Sequence, residues 1–170
     1  MYIRKFIEAV LEYTGAEEVD VIAHSMGVPL TRRALKGGWS NEVKVNLAAY
    51  GASKVFLKDE HEELPFYIGK PLTDRVRHFI GIVGPNYGVM NCSIDLEFQA
   101  TFRGCNFLNG FYPGSSSGTP FPADMAPWLQ ELDLDPTREA QHTFAFISYA
   151  DETIPAYVYG RLGGEYPTMD

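Results

Sequence analysis

Cysteine is scarce in this sequence: its 170 residues include two, Cys92 and Cys105, thirteen positions apart. There is no Cys-x-x-Cys pair, and no histidines are spaced along one helix face. The pattern therefore offers no metal site and calls for no cofactor. Taken alone, the cysteines fit two free thiols of a reducing compartment or one disulfide of an oxidising one. Long apolar runs are also missing, and no segment approaches the ~20 residues of a membrane span. The opening Met1-Tyr2-Ile3-Arg4-Lys5-Phe6-Ile7-Glu8 carries charges where a signal peptide would be apolar. Basic clusters are lacking as well. Arg32-Arg33 with Lys36 is the densest, and the formal net charge is −8 with a pI near 5.0. Nucleic-acid phosphates need basic neutralisation, so this balance argues against a nucleic-acid partner.

What is present is an ordinary globular composition, 45% hydrophobic and 21% charged, of a length that suits one domain with a sizeable core. Tyr2, Ile3, Phe6, Ile7, Val10 and Leu11 recur at three- and four-residue intervals, which predicts a helix over about residues 1–14. Gly15 supplies a left-handed cap at its end. A chain that starts in mid-helix reads as one that begins inside a domain.

The stretch Val19-Asp20-Val21-Ile22-Ala23-His24-Ser25-Met26-Gly27-Val28-Pro29-Leu30 organises the rest. Val19, Val21 and Ile22 form an apolar strand over 18–24, which stops at a small-His-Ser-Met-Gly pentad. A helix then runs to about Leu35 and is stopped by Gly37-Gly38. Strand, sharp turn and helix in that order are what a nucleophile elbow requires, with Ser25 strained at the bend and its hydroxyl above the sheet. Ala23 and Gly27 fill the flanking positions expected to be small, Ala23 standing where glycine is usual. The simpler alternative is an ordinary loop serine with His24 at the surface.

Residues 39–74 read as an insertion, partly helical, with His61 solvated among carboxylates. Residues 76–84 form a second apolar strand, continuous enough to be buried on both faces. Residues 85–125 are rich in Gly, Pro, Ser and Asn and read as a long functional or flexible loop. Pro127-Trp128-Leu129-Gln130-Glu131-Leu132 is a short helix, and 143–149 is a third strand. Asp151 follows just past its end, where open α/β sheets place working residues. Its other reading is a turn cap. Residues 157–164 show no clear closing element. Helices alternating with buried strands predict an α/β fold with a mostly parallel sheet flanked by helices.

Three separated pieces share a further likeness. They are the elbow at 21–29, the strand and turn at 79–88, and the strand and acid at 146–154. Together they resemble the class 2 lipases of the α/β-hydrolase fold, especially their animal secreted branch, over most of residues 1–160. Cys105-Asn106-Phe107-Leu108-Asn109-Gly110 and Pro113-Gly114 resemble that branch's disulfide-bearing loop, which implies a Cys92–Cys105 bond and a secreted protein. The resemblance implies that Ser25 is the nucleophile, Asp151 the triad acid and Met26 the donor of an oxyanion-hole N–H. The substrate would be a lipid or other ester, hydrolysed through an acyl-enzyme. Aromatic residues at 87–128 suit either an apolar substrate or core packing.

The family's order requires a histidine after Asp151, and none follows. His24, His61, His78 and His142 all precede it, and His78 and His142 fall at strand ends opposite the site. The chain therefore reads as one partial α/β-hydrolase domain over 1–170, incomplete at both ends and inactive by itself. The alternative is a non-catalytic relative that keeps the fold for binding.

Overall fold

Alternating burial along three short strands sets the architecture. The computed structural model describes residues 2–40, 66–105, 107, 110–115 and 124–170. Strands β1 (Val19–His24), β4 (Val76–Ile82) and β5 (His142–Phe146) form a parallel sheet in the order β1-β4-β5. Residues Asp20 to His24 of β1 pair with His78 to Ile82 of β4, and His78 to Ile82 with His142 to Phe146 of β5. One extra residue, Arg77, bulges between the pairs Val19–Val76 and Asp20–His78. The bulge lets both Val76 and Phe79 reach the core, where each is fully buried.

Helix α1 (Tyr2–Thr14) turns Ile7 and Leu11 inward. It ends at Gly15, whose φ of 67° lets its N–H reach the Leu11 carbonyl at 3.0 Å. Helix α2 (Gly27–Lys36) lies beside it and buries Val28 and Leu35, and the Arg4 guanidinium of α1 donates to the Ala34 carbonyl. With Ala23, Leu72, Phe79, Ala140 and Tyr166 these side chains make the core beneath the sheet. The expected stop after Leu35 is there: Gly37 and Gly38 both take positive φ. Gly38 then opens β2 (Gly38–Ser40), which pairs antiparallel with β3 (Phe66–Gly69), a ribbon the sequence reading did not foresee. The helical content expected between them, and His61, lie outside the described residues.

The other face of the sheet differs from expectation. Strand β4 was read as buried on both faces, yet His78, Ile80 and Ile82 are only half-buried. Ile22 beside them is 66% exposed and Phe146 58%. No described residue packs over this face, whereas parallel sheets are ordinarily covered on both sides.

Beneath the sheet a buried ion network ties the elements together. Arg32 of α2 is fully buried. It donates to Glu139 and Asp133 at 2.8 Å each and to the Asn86 side-chain oxygen at 3.1 Å. Its guanidinium also lies 4.5 Å from the Tyr166 ring centre. Asp133 comes from α5 (Pro127–Leu134), Glu139 from the approach to β5, and Asn86 from the turn after β4. Asn86 donates onward to the Gly164 carbonyl at 2.9 Å, and Lys36 reaches the carbonyls of Asp135 and Thr137.

A second core occupies the region read as a loop. Two short helices, α3 (Asn91–Ile94) and α4 (Leu96–Thr101), follow β4, with Asp95 capping α4 through Glu97 and Phe98 N–H groups at 3.0 Å. Cys92 and Cys105 are joined in a disulfide. Tyr87, Phe111, Tyr112, Trp128 and Leu129 pack around it, together with Ile154 and Val158. Core packing is thus the role of these aromatics. Phe107 is exposed, and Phe121 lies outside the described residues. The tail closes in a hairpin of β6 (Tyr157–Val158) and β7 (Arg161–Leu162), turned by Tyr159 and Gly160 at φ of 48° and 82°.

Candidate active site at the carboxyl ends of the strands

The parallel strands all deliver their carboxyl ends to one edge, and the candidate residues gather there. Ser25 directly follows β1 and has a φ of 54°, the left-handed region that costs a non-glycine residue about 1 kcal/mol or more. Two backbone bonds hold it there. Its N–H extends the ladder to the Ile82 carbonyl of β4, and its carbonyl accepts from Val28 N–H of α2, both at 2.9 Å. Met26, at φ −54° and ψ −24°, is already helical. The chain therefore turns from strand to helix within a single residue, and that residue is the serine.

The small-residue rule works differently from expectation. A Cβ added at Gly27 would meet nothing within 4 Å. The close approach lies one strand over, where a Cβ on Gly81 or Gly84 would come within 2.9 Å and 2.6 Å of the Val28 side chain. Val28 of the elbow helix sits against β4, so the absence of side chains is required in β4 and its following turn. A neighbouring residue, Val83, is also left-handed at φ 48°, although β-branched. Nothing in the sequence marked it.

Met26 N–H lies at the amino-terminal end of α2, where the first amides of a helix lack internal acceptors and carry the positive end of the helix dipole. The expected third strand ran to Tyr149, but β5 stops at Phe146, whose carbonyl accepts from Val83 N–H at 2.8 Å. Its partner β4 ends at Ile82, leaving nothing further to pair with. Asp151 lies in the loop beyond. Its Oδ1 accepts from the N–H groups of Thr153 at 2.9 Å and Ile154 at 2.7 Å. Those two bonds hold the carboxyl below the ordinary carboxylate range, with a smaller contribution from the charge of His24. The turn-cap role is therefore present, and it also fixes an ionised carboxylate at the elbow's end of the sheet.

The histidines fall as the strand positions imply. His78 is third in β4 and His142 first in β5, both towards the amino ends. His24 is exposed on the uncovered face. Among the described residues no imidazole is bonded to Ser25 or Asp151, and no three His, Cys, Asp or Glu side chains gather to hold a metal ion.

The family model for class 2 lipases matches residues 1–170, the whole of this sequence. The chain belongs to the class 2 lipase family. No curated protein and no solved structure gives a match. Lipases of this class are α/β hydrolases, and the parallel sheet flanked by helices agrees with that fold. Hydrolysis of esters is thus the activity to which this lipase-family chain relates. No described helix is long and apolar enough to cross a membrane.

Proposed function

We propose that this chain is the elbow-and-acid part of a serine lipase, in which Ser25 attacks the ester carbonyl and Asp151 orients the catalytic base. The observation that carries the reading is the left-handed Ser25 set between a parallel strand and the helix whose amino end faces it. A residue held in that strain at a strand's carboxyl end is a common mark of a working site. Met26 N–H then supplies one oxyanion donor for the tetrahedral intermediate. Strands β1 and β5 are separated by β4, so their tips stand about 9–10 Å apart at ordinary strand spacing. A hydroxyl–imidazole–carboxylate relay spans about 7–8 Å from oxygen to oxygen, which suits that gap. No imidazole among the described residues is bonded to Ser25 or Asp151, and a serine hydrolase deprived of its base loses several orders of magnitude in rate.

Apolar side chains around the edge support a lipid or other apolar ester. Met26, Leu30, Phe146 and Tyr149 are all exposed there. Family membership and the disulfide together support secretion, and residues 1–170 read as one hydrolase domain. The non-catalytic alternative draws on the lack of any described imidazole at Ser25. Hydrolysis of nitrophenyl butyrate and palmitate by the protein that carries this chain separates the two. Wild-type turnover lost by more than about 10³-fold in Ser25→Ala and Asp151→Asn supports the lipase. Absence of turnover in wild-type protein that binds the ester supports the binding module.

A further inference from the structure

At the elbow's edge of the sheet, one peptide unit of β4 joins both neighbouring strands. The Ile82 carbonyl accepts from Ser25 N–H at 2.9 Å, and the Val83 N–H of the same peptide donates to the Phe146 carbonyl at 2.8 Å. A peptide unit is planar and stiff, so this one fixes the backbone of Ser25 against the strand that leads to Asp151. Val83 then leaves the sheet at φ 48°. For a β-branched residue that is an outlier, sustained only where the surroundings enforce it. They do so on both sides. Gly84, next in the chain, lies so close to Val28 of the elbow helix that a Cβ there would come within 2.6 Å. The half-buried Val83 side chain packs against the second core, the one that Ile154 joins. Ile154 N–H is one of the two groups that hold the Asp151 carboxylate.

We infer that Val83 is a positioning residue for the ester chemistry, its branched side chain bracing the core of the acid loop against the peptide that holds Ser25. The inference rests on the hydrolase reading of Ser25 and Asp151. A glycine would make the same left-handed turn without strain, so the turn alone does not call for valine. What the valine adds is an isopropyl group packed on the second core. The brace runs from Ser25 N–H through the Ile82–Val83 peptide and the Val83 side chain into the core that carries Ile154. Close-packed side chains transmit small displacements rather than absorb them. The relay between a serine and a carboxylate tolerates little error, since a misplacement of about 1 Å costs on the order of 10²-fold in rate. Val83 acts through Ser25 and Asp151 and needs to touch neither substrate nor base.

The test is steady-state hydrolysis of nitrophenyl butyrate, with fluorophosphonate labelling of Ser25, by the protein that carries this chain. Val83→Gly keeps the turn and removes the brace. It should lower kcat by about 10- to 100-fold, with KM within about twofold of wild type, and slow the labelling in step. Val83→Ala, a second variant that deletes the two methyl groups alone, should show a loss of the same kind. Val83→Ile keeps the branch at Cβ and should recover kcat to within about threefold of wild type. Suppose instead that kcat stays within about twofold of wild type in folded Val83→Gly and Val83→Ala while Ser25→Ala abolishes turnover. That result would overturn the brace and leave the hydrolase reading standing, and so would a loss confined to thermal stability. Turnover that persists in Ser25→Ala would fail the hydrolase reading, and the brace with it.

Discussion

The two cores of this molecule are held by different means. The core beneath the sheet rests on strand and helix periodicity, with apolar side chains from α1, α2 and β4 meeting around the fully buried Phe79. It is tied through Arg32 to three later parts of the chain. The core after β4 has short helices, and it is organised by aromatic side chains around a covalent link between Cys92 and Cys105. Regular elements specify a packed face by repetition. Irregular chain needs staples. The elbow belongs to the first core and the acid loop joins the second, through Ile154, so the proposed site depends on both.

The largest effects should come from breaking the first core. Phe79→Ala should cost about 3–5 kcal/mol in denaturant unfolding, since the ring has no solvent to collapse into. Arg32→Met should cost a similar ~3–5 kcal/mol, because Asp133 would be left buried without its cation and Glu139 would keep only Lys36 as a charge partner, 3.4 Å away. A loss under about 1 kcal/mol in either variant would mean the two cores are not so different. Next comes the staple. Cys92→Ala with Cys105→Ala should destabilise by about 3 kcal/mol, as expected for a loop of this length. Hydrogen exchange should show the loss concentrated between residues 85 and 134, with β1 and β4 still protected.

A smaller, pH-dependent effect distinguishes the ion network from apolar packing. Burial pushes the Asp133 carboxyl up to about 6, although Arg32 beside it acts in the opposite direction. Its folded value lies above the unfolded value of 3.8, so the native state holds the proton more tightly. This group's penalty is therefore absent below about pH 4, grows as pH rises through 6, and is constant above that. It amounts to roughly 3 kcal/mol. Asp133→Asn should flatten the stability profile between pH 4 and 6, and an unchanged profile would assign the dependence elsewhere. The smallest effect belongs to the uncovered face. Ile22→Lys should change stability by less than about 0.5 kcal/mol while raising solubility, since Ile22 is 66% exposed.

Legibility in the sequence followed the same division. Helix α1, strand β1 and the elbow were readable because their apolar spacing and their Gly15 and Gly37-Gly38 stops are local signals. Ser25 at the bend and Asp151 past a strand's end could be singled out by position, whereas Met26 came only from the family resemblance. The ribbon of β2 and β3 was not readable, because its strands are short and pair across a long interval. The Arg32 network was hidden too: Arg32 and Lys36 look like one solvated helix face, and their partners lie about a hundred residues further on. The small-residue requirement was assigned to Ala23 and Gly27; at Gly27 there is open space, and the close approach falls at Gly81 and Gly84, a cross-strand relation with no local trace. The pairing of His78 with His142 has the same origin, since only strand register brings them together.

The central claim is that the left-handed Ser25 is a nucleophile, and covalent labelling tests it most directly. The protein that carries this chain is treated with a fluorophosphonate and digested, and the adduct is located by mass spectrometry. The account predicts modification on Ser25 alone, lost in Ser25→Ala and slowed in Asp151→Asn. An adduct on any other residue, or labelling undiminished in Ser25→Ala, would contradict it.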